Sequence, residues 1–213
     1  MQHKALEPAR PYAHGLRNIC VYCGSGVGTD PAFAGAASEF GRMLAENGIG
    51  LVFGGGGRGL MGEVARATLQ HGGHVVGIIP RFLMEAERAL AEVDELVVTE
   101  SMHERKLRMF ERSDAFVALP GGVGTLEEFV EQMTWSQIGQ HDKPLVLANV
   151  EGYWAPLVDL FNHMLQHEFI RPGLEVRYHV VDDIGGVIPT LIRLVAAAPP
   201  EGVAEQPLPL EKL

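Results

Sequence analysis

Residues 115–128 read Ala115-Phe-Val-Ala-Leu-Pro-Gly-Gly-Val-Gly-Thr-Leu-Glu-Glu128. The first five are apolar without interruption, as in a strand buried on both faces of a parallel sheet. Pro120 and the glycines end that strand. Gly124-Thr125 then opens a helix that continues through Phe129-Val-Glu-Gln-Met-Thr-Trp135. A strand turning through glycine into a helix is half of a βαβ unit. The same pattern recurs on both sides. Strands are expected at Ile19–Cys23, Gly50–Phe53, His74–Ile79, Glu95–Thr99, Ala115–Leu119, Pro144–Asn149 and Tyr178–Val181. Helices are expected between them, at Pro31–Asn47, Leu60–His71, Met102–Arg112, Leu126–Gly139, Tyr153–Glu168 and Ile184–Ala197, with Asn47-Gly48 and His71-Gly72-Gly73 as stops.

This alternation predicts one α/β domain over residues 18–197, with a Rossmann-like, doubly wound, mostly parallel sheet and right-handed crossovers. Residues 1–17 and the proline-rich tail 198–213 show neither period and are expected to be loosely ordered. A chain of 213 residues that is 46% hydrophobic has enough apolar side chain for one large core. No apolar run approaches the roughly 18 residues that span a bilayer. Met1 to Gly15 lacks the apolar stretch and cleavage site of a secretory leader, so a cytoplasmic protein with no membrane partner is expected. A net charge of −10 repels phosphate backbones, which argues against nucleic acid and leaves room for a small phosphorylated ligand in a locally positive cleft. Cys20 and Cys23 have redox-pair spacing, but residues three apart on a strand face opposite sides, so two reduced, buried thiols are expected.

Glycine supplies 26 of the 213 residues, against a typical ~7%, and the excess is clustered. Gly24-Ser-Gly-Val-Gly28, Gly54-Gly-Gly-Gly-Arg-Gly59 and Gly121-Gly-Val-Gly124 each follow an expected strand. In an open parallel sheet ligands bind beyond the carboxyl ends of the strands, so the three loops should line one cleft. Glycine lets main-chain N–H groups approach a phosphate, and a following helix adds its positive end. Gly24, Ser25, Gly54, Gly55 and Gly56 are therefore candidate phosphate or ribose contacts. The dinucleotide fingerprint is not cleanly present and no glycine cluster ends in Gly-Lys-Ser/Thr, which disfavours NAD and ATP. Thr125 is placed to cap its helix and offer a hydroxyl to a phosphate. Glu127 and Glu128 are expected in that helix's first turn. Acids there complement the macrodipole on an ordinary helix, but beside an anion-binding loop they oppose the ligand unless they have a task. Arg105 and Lys106, in Ser101-Met-His-Glu-Arg-Lys-Leu-Arg108, lie on the helix that leads into the strand before Pro120 and can border the same cleft.

Pro120-Gly-Gly-Val-Gly-Thr-Leu-Glu-Glu128 resembles P-G-G-x-G-T-x-x-E, the hallmark of the LONELY GUY family, and Met102-His-Glu-Arg-Lys106 resembles that family's M-H-x-R-K element. Further likeness comes from Val21-Tyr-Cys-Gly-Ser25, Gly59-Leu-Met-Gly62, Gly77-Ile-Ile-Pro80, Ser113-Asp-Ala-Phe116 and Thr134-Trp135, so that it covers roughly residues 17–195. The resemblance implies a Rossmann-like, usually dimeric phosphoribohydrolase. Such enzymes cleave N6-substituted adenosine monophosphate to free base, a cytokinin, and ribose 5-phosphate. It also implies Arg105 and Glu128 as the catalytic pair. Glu87, Lys106, Gly121, Gly122, Val123, Gly124, Thr125, Leu126, Glu127 and Thr134 would be substrate contacts. No cofactor and no metal are implied. Gly26, where a second serine is frequent, and Arg58 depart from the family pattern and bear on base preference.

The chemistry suits these residues. Breaking an N-glycosidic bond builds an oxocarbenium-like ribosyl cation, which a carboxylate can stabilise, attack, or quench through an activated water. Glu128 is the expected carboxylate, with Glu127 bonding a ribose hydroxyl or sharing the task. Arg105 stays charged and can clamp the nucleotide or stabilise the departing base. Rival readings are a general nucleoside-monophosphate nucleosidase and a non-catalytic nucleotide or molybdenum-cofactor carrier on the same fold. His163 and His167 have i,i+4 spacing without the acid of a zinc-peptidase motif, and read as a solvated face. Met102, Met109 and Phe110 could shape a base pocket, but packing their helix on the sheet is the expected role. Apolar side chains on the 102–112 helix and around Phe129–Trp135 suggest a homodimer.

Overall fold

The computed structural model describes residues 15–171, 174 and 176–197. Seven parallel strands form one sheet: β1 (Asn18–Tyr22), β2 (Gly50–Phe53), β3 (Val75–Pro80), β4 (Glu95–Thr99), β5 (Ala115–Ala118), β6 (Leu145–Ala148) and β7 (His179–Val181). Their spatial order is β4-β3-β2-β1-β5-β6-β7. The helices are α1 (Pro31–Glu46), α2 (Gly59–Gln70), α3 (Met102–Glu111), α4 (Val123–Gln137), α5 (Ala155–Gln166) and α6 (Val187–Ala197). The expected α/β architecture is the one found, and the expected elements differ from the observed ones mainly by a residue or two at their ends.

Two apolar layers cover the sheet. On one face Ile19, Val21, Leu51, Phe53 and Val117 pack with Phe40, Val64 and Leu191 of α1, α2 and α6. On the other, Cys20, Tyr22, Val52, Ile78 and Phe116 pack with Met109 of α3 and Phe129 and Met133 of α4. Alternation along β1 divides the thiols: Cys20 belongs to the second layer and Cys23 to the first, and both are free. The expected loose termini lie outside the described residues except at 15–17. There Leu16 is fully buried, and the main-chain N–H groups of Arg17 and Asn18 donate to the Asp114 carboxylate.

The strand order reverses between β1 and β5, whose register pairs Val21 with Val117 and Tyr22 with Ala118. At such a switch point the loops leave in opposite directions and open a crevice. Here they are tied together at the base, where Leu119 N–H donates to Tyr22 O (2.9 Å) and Gly24 N–H to Pro120 O (3.0 Å). No described helix is long and apolar enough to cross a membrane.

Candidate active site

The first glycine loop and the start of α4 face each other across this crevice. Helix α4 begins three residues earlier than expected. Its cap is Gly122 rather than Thr125, and no side chain caps it. Glycine at position 124 suggested loop, but the first N–H groups of a helix have no intrahelical partner, so glycine there weakens little. Thr125 is buried in the first turn, with its hydroxyl packed under Gly121, where a Cβ would come within 2.2 Å of Thr125 Oγ1. Glu127 and Glu128 consequently fall in the second turn, beyond the macrodipole's strongest reach. The amino end of α4 is left with open N–H donors at Val123, Gly124 and Thr125, and all three residues line a cavity of about 340 Å³. The starts of α1 and α2, by contrast, are occupied: Asp30 caps α1 through Ala32 N–H, and Leu60 N–H of α2 donates to Gly24 O at 3.0 Å.

Arg105 and Glu128 meet at the floor of the cavity, with Nη1 3.1 Å from Oε1. Both side chains are almost wholly buried, at 7% and 10% exposure. The guanidinium is fixed from two more sides, donating from Nε to Ile78 O (3.1 Å) at β3 and from Nη2 to Gly54 O (3.2 Å) after β2. Helix α3 carries it there because Ser101 caps the helix through Glu104 N–H and Met109 anchors it in the core. Burial pushes the Glu128 carboxyl up to about 7, against the pull of Arg105 and with the help of Glu127 and Glu87. Glu128 is thus poised to exist in both protonation states near neutrality.

Lys106 faces the neighbouring acids, 2.5 Å from Glu127 Oε1 and 2.9 Å from Glu131 Oε1. Burial pulls its ammonium down, but the two carboxylates outweigh that and hold it above the ordinary lysine range. Glu87 reaches the cavity from the segment after β3, with Oε2 buried and without a hydrogen-bond partner among the described residues. Of the other expected contacts, Gly24, Ser25 and Gly122 border the cavity, while Gly121 lines an adjoining cavity of about 280 Å³ with Phe33 and Tyr153. Leu126 and Thr134 line neither cavity, and Thr134 is exposed with its hydroxyl donating to Val130 O. Gly54, Gly55 and Gly56 are buried behind the cavity. A Cβ on Gly54 would stand 2.0 Å from Arg105 Nη2, and one on Gly56 2.9 Å from Glu87 Oε2. The second glycine loop makes room for the charged side chains and does not line the cavity itself. Sequence reasoning missed Leu83 as a wall and Tyr153, whose hydroxyl donates to Gly121 O at 2.6 Å. Neither lies in a motif, and only the fold brings them in. His163 and His167 are exposed on α5 with their rings 4.4 Å apart, as the solvated-face reading expects.

Fold and site together define a Rossmann-like α/β protein with a glycine-rich, uncapped helix start beside a buried carboxylate–guanidinium pair. Residues 61–191 match a family model described as "Possible lysine decarboxylase". The chain is 50% identical over 153 residues, 72% of its length and 69% of the relative's, to the probable cytokinin riboside 5′-monophosphate phosphoribohydrolase LOGL1 of Oryza sativa subsp. japonica. It is 46% identical over 157 residues, 74% of each chain, to the cytokinin riboside 5′-monophosphate phosphoribohydrolase LOG1 of Arabidopsis thaliana. The matched region spans about two thirds of the rice relatives' length. Among solved structures, a Moco carrier protein from Chlamydomonas reinhardtii superposes with a TM-score of 0.65 at 25% identity, covering 85% of this chain and 99% of that one. The chain belongs to the LONELY GUY family.

Proposed function

We propose that this chain hydrolyses the N-glycosidic bond of an adenosine 5′-monophosphate, N6-substituted ones included, releasing the free base and ribose 5-phosphate. The observation that carries this reading is Glu128: a buried carboxylate held by Arg105 and opening onto a cavity beside an uncapped helix amino end. The phosphate sits on the N–H groups of Val123, Gly124 and Thr125, where the α4 dipole favours it. That anchor brings the ribose over Glu128. As the glycosidic bond lengthens, charge builds on C1′ and the ionised carboxylate stabilises it. Water adds to C1′ as the C1′–N bond breaks and gives one proton to Glu128; the departing base nitrogen takes a proton from solvent, and Glu128 returns its proton to solvent, so the balance is one water consumed. Arg105 holds the carboxylate in place and keeps its charge throughout. Glu87, with one oxygen unpaired, and Glu127 are ribose or base contacts. Lys106 tethers Glu127 and steadies the acidic edge of the cavity.

A pyridoxal-dependent decarboxylation finds little support in the same residues. Lys106 is held protonated by Glu127 and Glu131, and a Schiff-base lysine must shed its proton. The two buried, free thiols fit a reducing cytoplasm. We also propose a homodimer that uses the outer surface of α3 and α4, where Leu107, Val123 and Ile138 are exposed.

The test is incubation of the purified protein with AMP, isopentenyladenosine monophosphate, GMP and CMP, with base and ribose 5-phosphate measured by chromatography. Release of both from an adenosine monophosphate, undiminished by a chelator, is expected. The free nucleoside should be far poorer, because phosphate contacts supply binding energy used in the transition state. Equal turnover of adenosine and AMP would overturn the phosphate site. Release of ammonia or carbon dioxide would overturn the reaction class, and tight binding without turnover would favour a carrier.

A further inference from the structure

Two polar side chains that line neither cavity are buried without hydrogen-bond partners among the described residues. Gln132 follows Glu128 by one turn on the buried face of α4 and is fully enclosed. Residues four apart on a helix are neighbours. Neither Nε2 nor Oε1 of Gln132 has a hydrogen-bond partner among the described residues, although its main-chain oxygen receives His141 Nε2. Tyr22, at the end of β1 in the same apolar layer as Phe129, carries a buried hydroxyl that likewise has no hydrogen-bond partner among the described residues. The Cys20 thiol adjoins that hydroxyl without reaching hydrogen-bond geometry, and the charge of Glu128 acts on it. Folded proteins satisfy nearly all buried polar groups, and a buried water typically bonds about three of them at once.

We propose that Tyr22 and Gln132 together seat a buried water beneath the Glu128 carboxylate, which makes both positioning residues for Glu128. The role in turnover rests on the hydrolase reading above; the water site does not. The Gln132 amide can donate to the water and accept from it, and the Tyr22 hydroxyl can do either. The water's remaining hydrogen then points at the carboxylate. Its effect is to favour the charged form of Glu128 and to hold its rotamer. The ionisable groups around Glu128 come from every neighbouring element: Arg105 and Lys106 on α3, Glu87 after β3, Glu127 and Glu131 on α4, and Cys20, Tyr22 and Cys23 at β1. Arg105 is the one cation in direct contact with Glu128 among the described residues. Removing the water therefore shifts Glu128 toward its protonated form.

The experiment compares the full-length wild type with Tyr22→Phe, Gln132→Met and the double variant. Carboxyl-¹³C NMR of glutamate-labelled protein follows the titration of Glu128, assigned by its loss in Glu128→Gln. The pH profile of kcat/KM for AMP is read alongside. Each single variant should move the Glu128 midpoint to higher pH by about half a unit or more, which is roughly a threefold loss of the ionised form in the acid range. The double variant should move it by less than the sum, since one water serves both residues. Midpoints that coincide with the wild type, or singles that add in full, would overturn the shared water. If Gln132→Met does not fold, the hydroxyl deletion Tyr22→Phe decides alone. A shifted NMR midpoint in a protein that releases no base would leave the water standing and overturn the hydrolase reading instead.

Discussion

Glu128 is the residue on which the proposed chemistry turns, and its burial makes opposite demands on stability and activity. Glu128→Gln keeps the size and hydrogen-bonding reach of the side chain and removes its charge. Turnover should fall by on the order of a hundredfold or more if the carboxylate stabilises or quenches the ribosyl cation, while calorimetric affinity for AMP holds or improves. Activity that survives the substitution would transfer the role to Glu127. In the mechanism proposed the ionised form carries the reaction, so kcat/KM should drop on the acid side of about pH 7, where Glu128 takes up its proton. A flat profile down to pH 5 would place its midpoint near the ordinary carboxylate value. The same elevation has a stability consequence of definite sign. The folded state binds the Glu128 proton more tightly than the unfolded chain does. Its contribution is thus fully present below the ordinary value of 4.5 and is lost as pH rises through about 7. Glu128→Gln should therefore melt higher than the wild type above pH 7, by an amount on the order of 3 kcal/mol, with the gap closing toward pH 4.5. Arg105→Ala should behave differently: it strands Glu128 without its cation, and both binding and turnover should weaken.

At the scale of elements, the site is made by what three loops leave open. Helix α4 keeps its amino end free because Gly122 caps it without a side chain. The loop after β2 keeps clear the space that the Arg105 guanidinium enters. Gly54→Ala tests that second point. Its Cβ would fall on Arg105 Nη2, so the guanidinium must leave Gly54 O and turn away from Glu128. Activity should collapse to near that of Arg105→Ala with circular dichroism unchanged, and an active Gly54→Ala enzyme would show that Arg105 has slack to spare. These loops also mark what could be read from sequence. The clusters at Gly24 and Gly121 were legible as cleft walls, because glycine after a strand has a local cause. The cluster at Gly54 was legible as functional but not as the pocket behind Arg105, since that contact joins residues 51 apart. The cap of α4 was misplaced at Thr125 because Gly124 suppresses the helical pattern for a reason peculiar to first turns. Thr134 and Leu126 entered through the family motif alone, and within one protomer they stand outside both cavities.

The whole molecule fixes how much apolar surface is left for a partner. Phe129 and Met133 of α4 were counted toward a dimer face, but the sheet covers them, as it covers Met109 of α3 in the way expected. What remains on those helices is Leu107, Val123 and Ile138, with Trp135 half-buried against Phe110. Light scattering should give about 46 kDa, twice the 23.1 kDa protomer, and Leu107→Glu should halve it. A wild-type mass near 23 kDa at micromolar concentration would exclude the dimer.

The junction of β1 with β5 carries a consequence for the order in which the protein can be made. Asp114 receives the main-chain N–H of Arg17 across 97 residues, and β5 lies along one edge of β1. A ribosome delivering this chain releases β1, β2 and β3 with α1 and α2 well before β5 exists. That amino-terminal half can close its own side of the sheet, since β1 pairs with β2 and β2 with β3 in sequence order. It must then wait with the inner edge of β1 unpaired, as a template for the wrong strand. Arg105 emerges while it waits, with its carbonyl partners at Ile78 and Gly54 already in place, and Glu128 arrives only with the strand that covers the edge. The step that covers the inner edge of β1 is the step that brings the Glu128 carboxylate within reach of Arg105, so in a nascent protein of this design the seam at the switch point closes and the buried ion pair forms at the same moment.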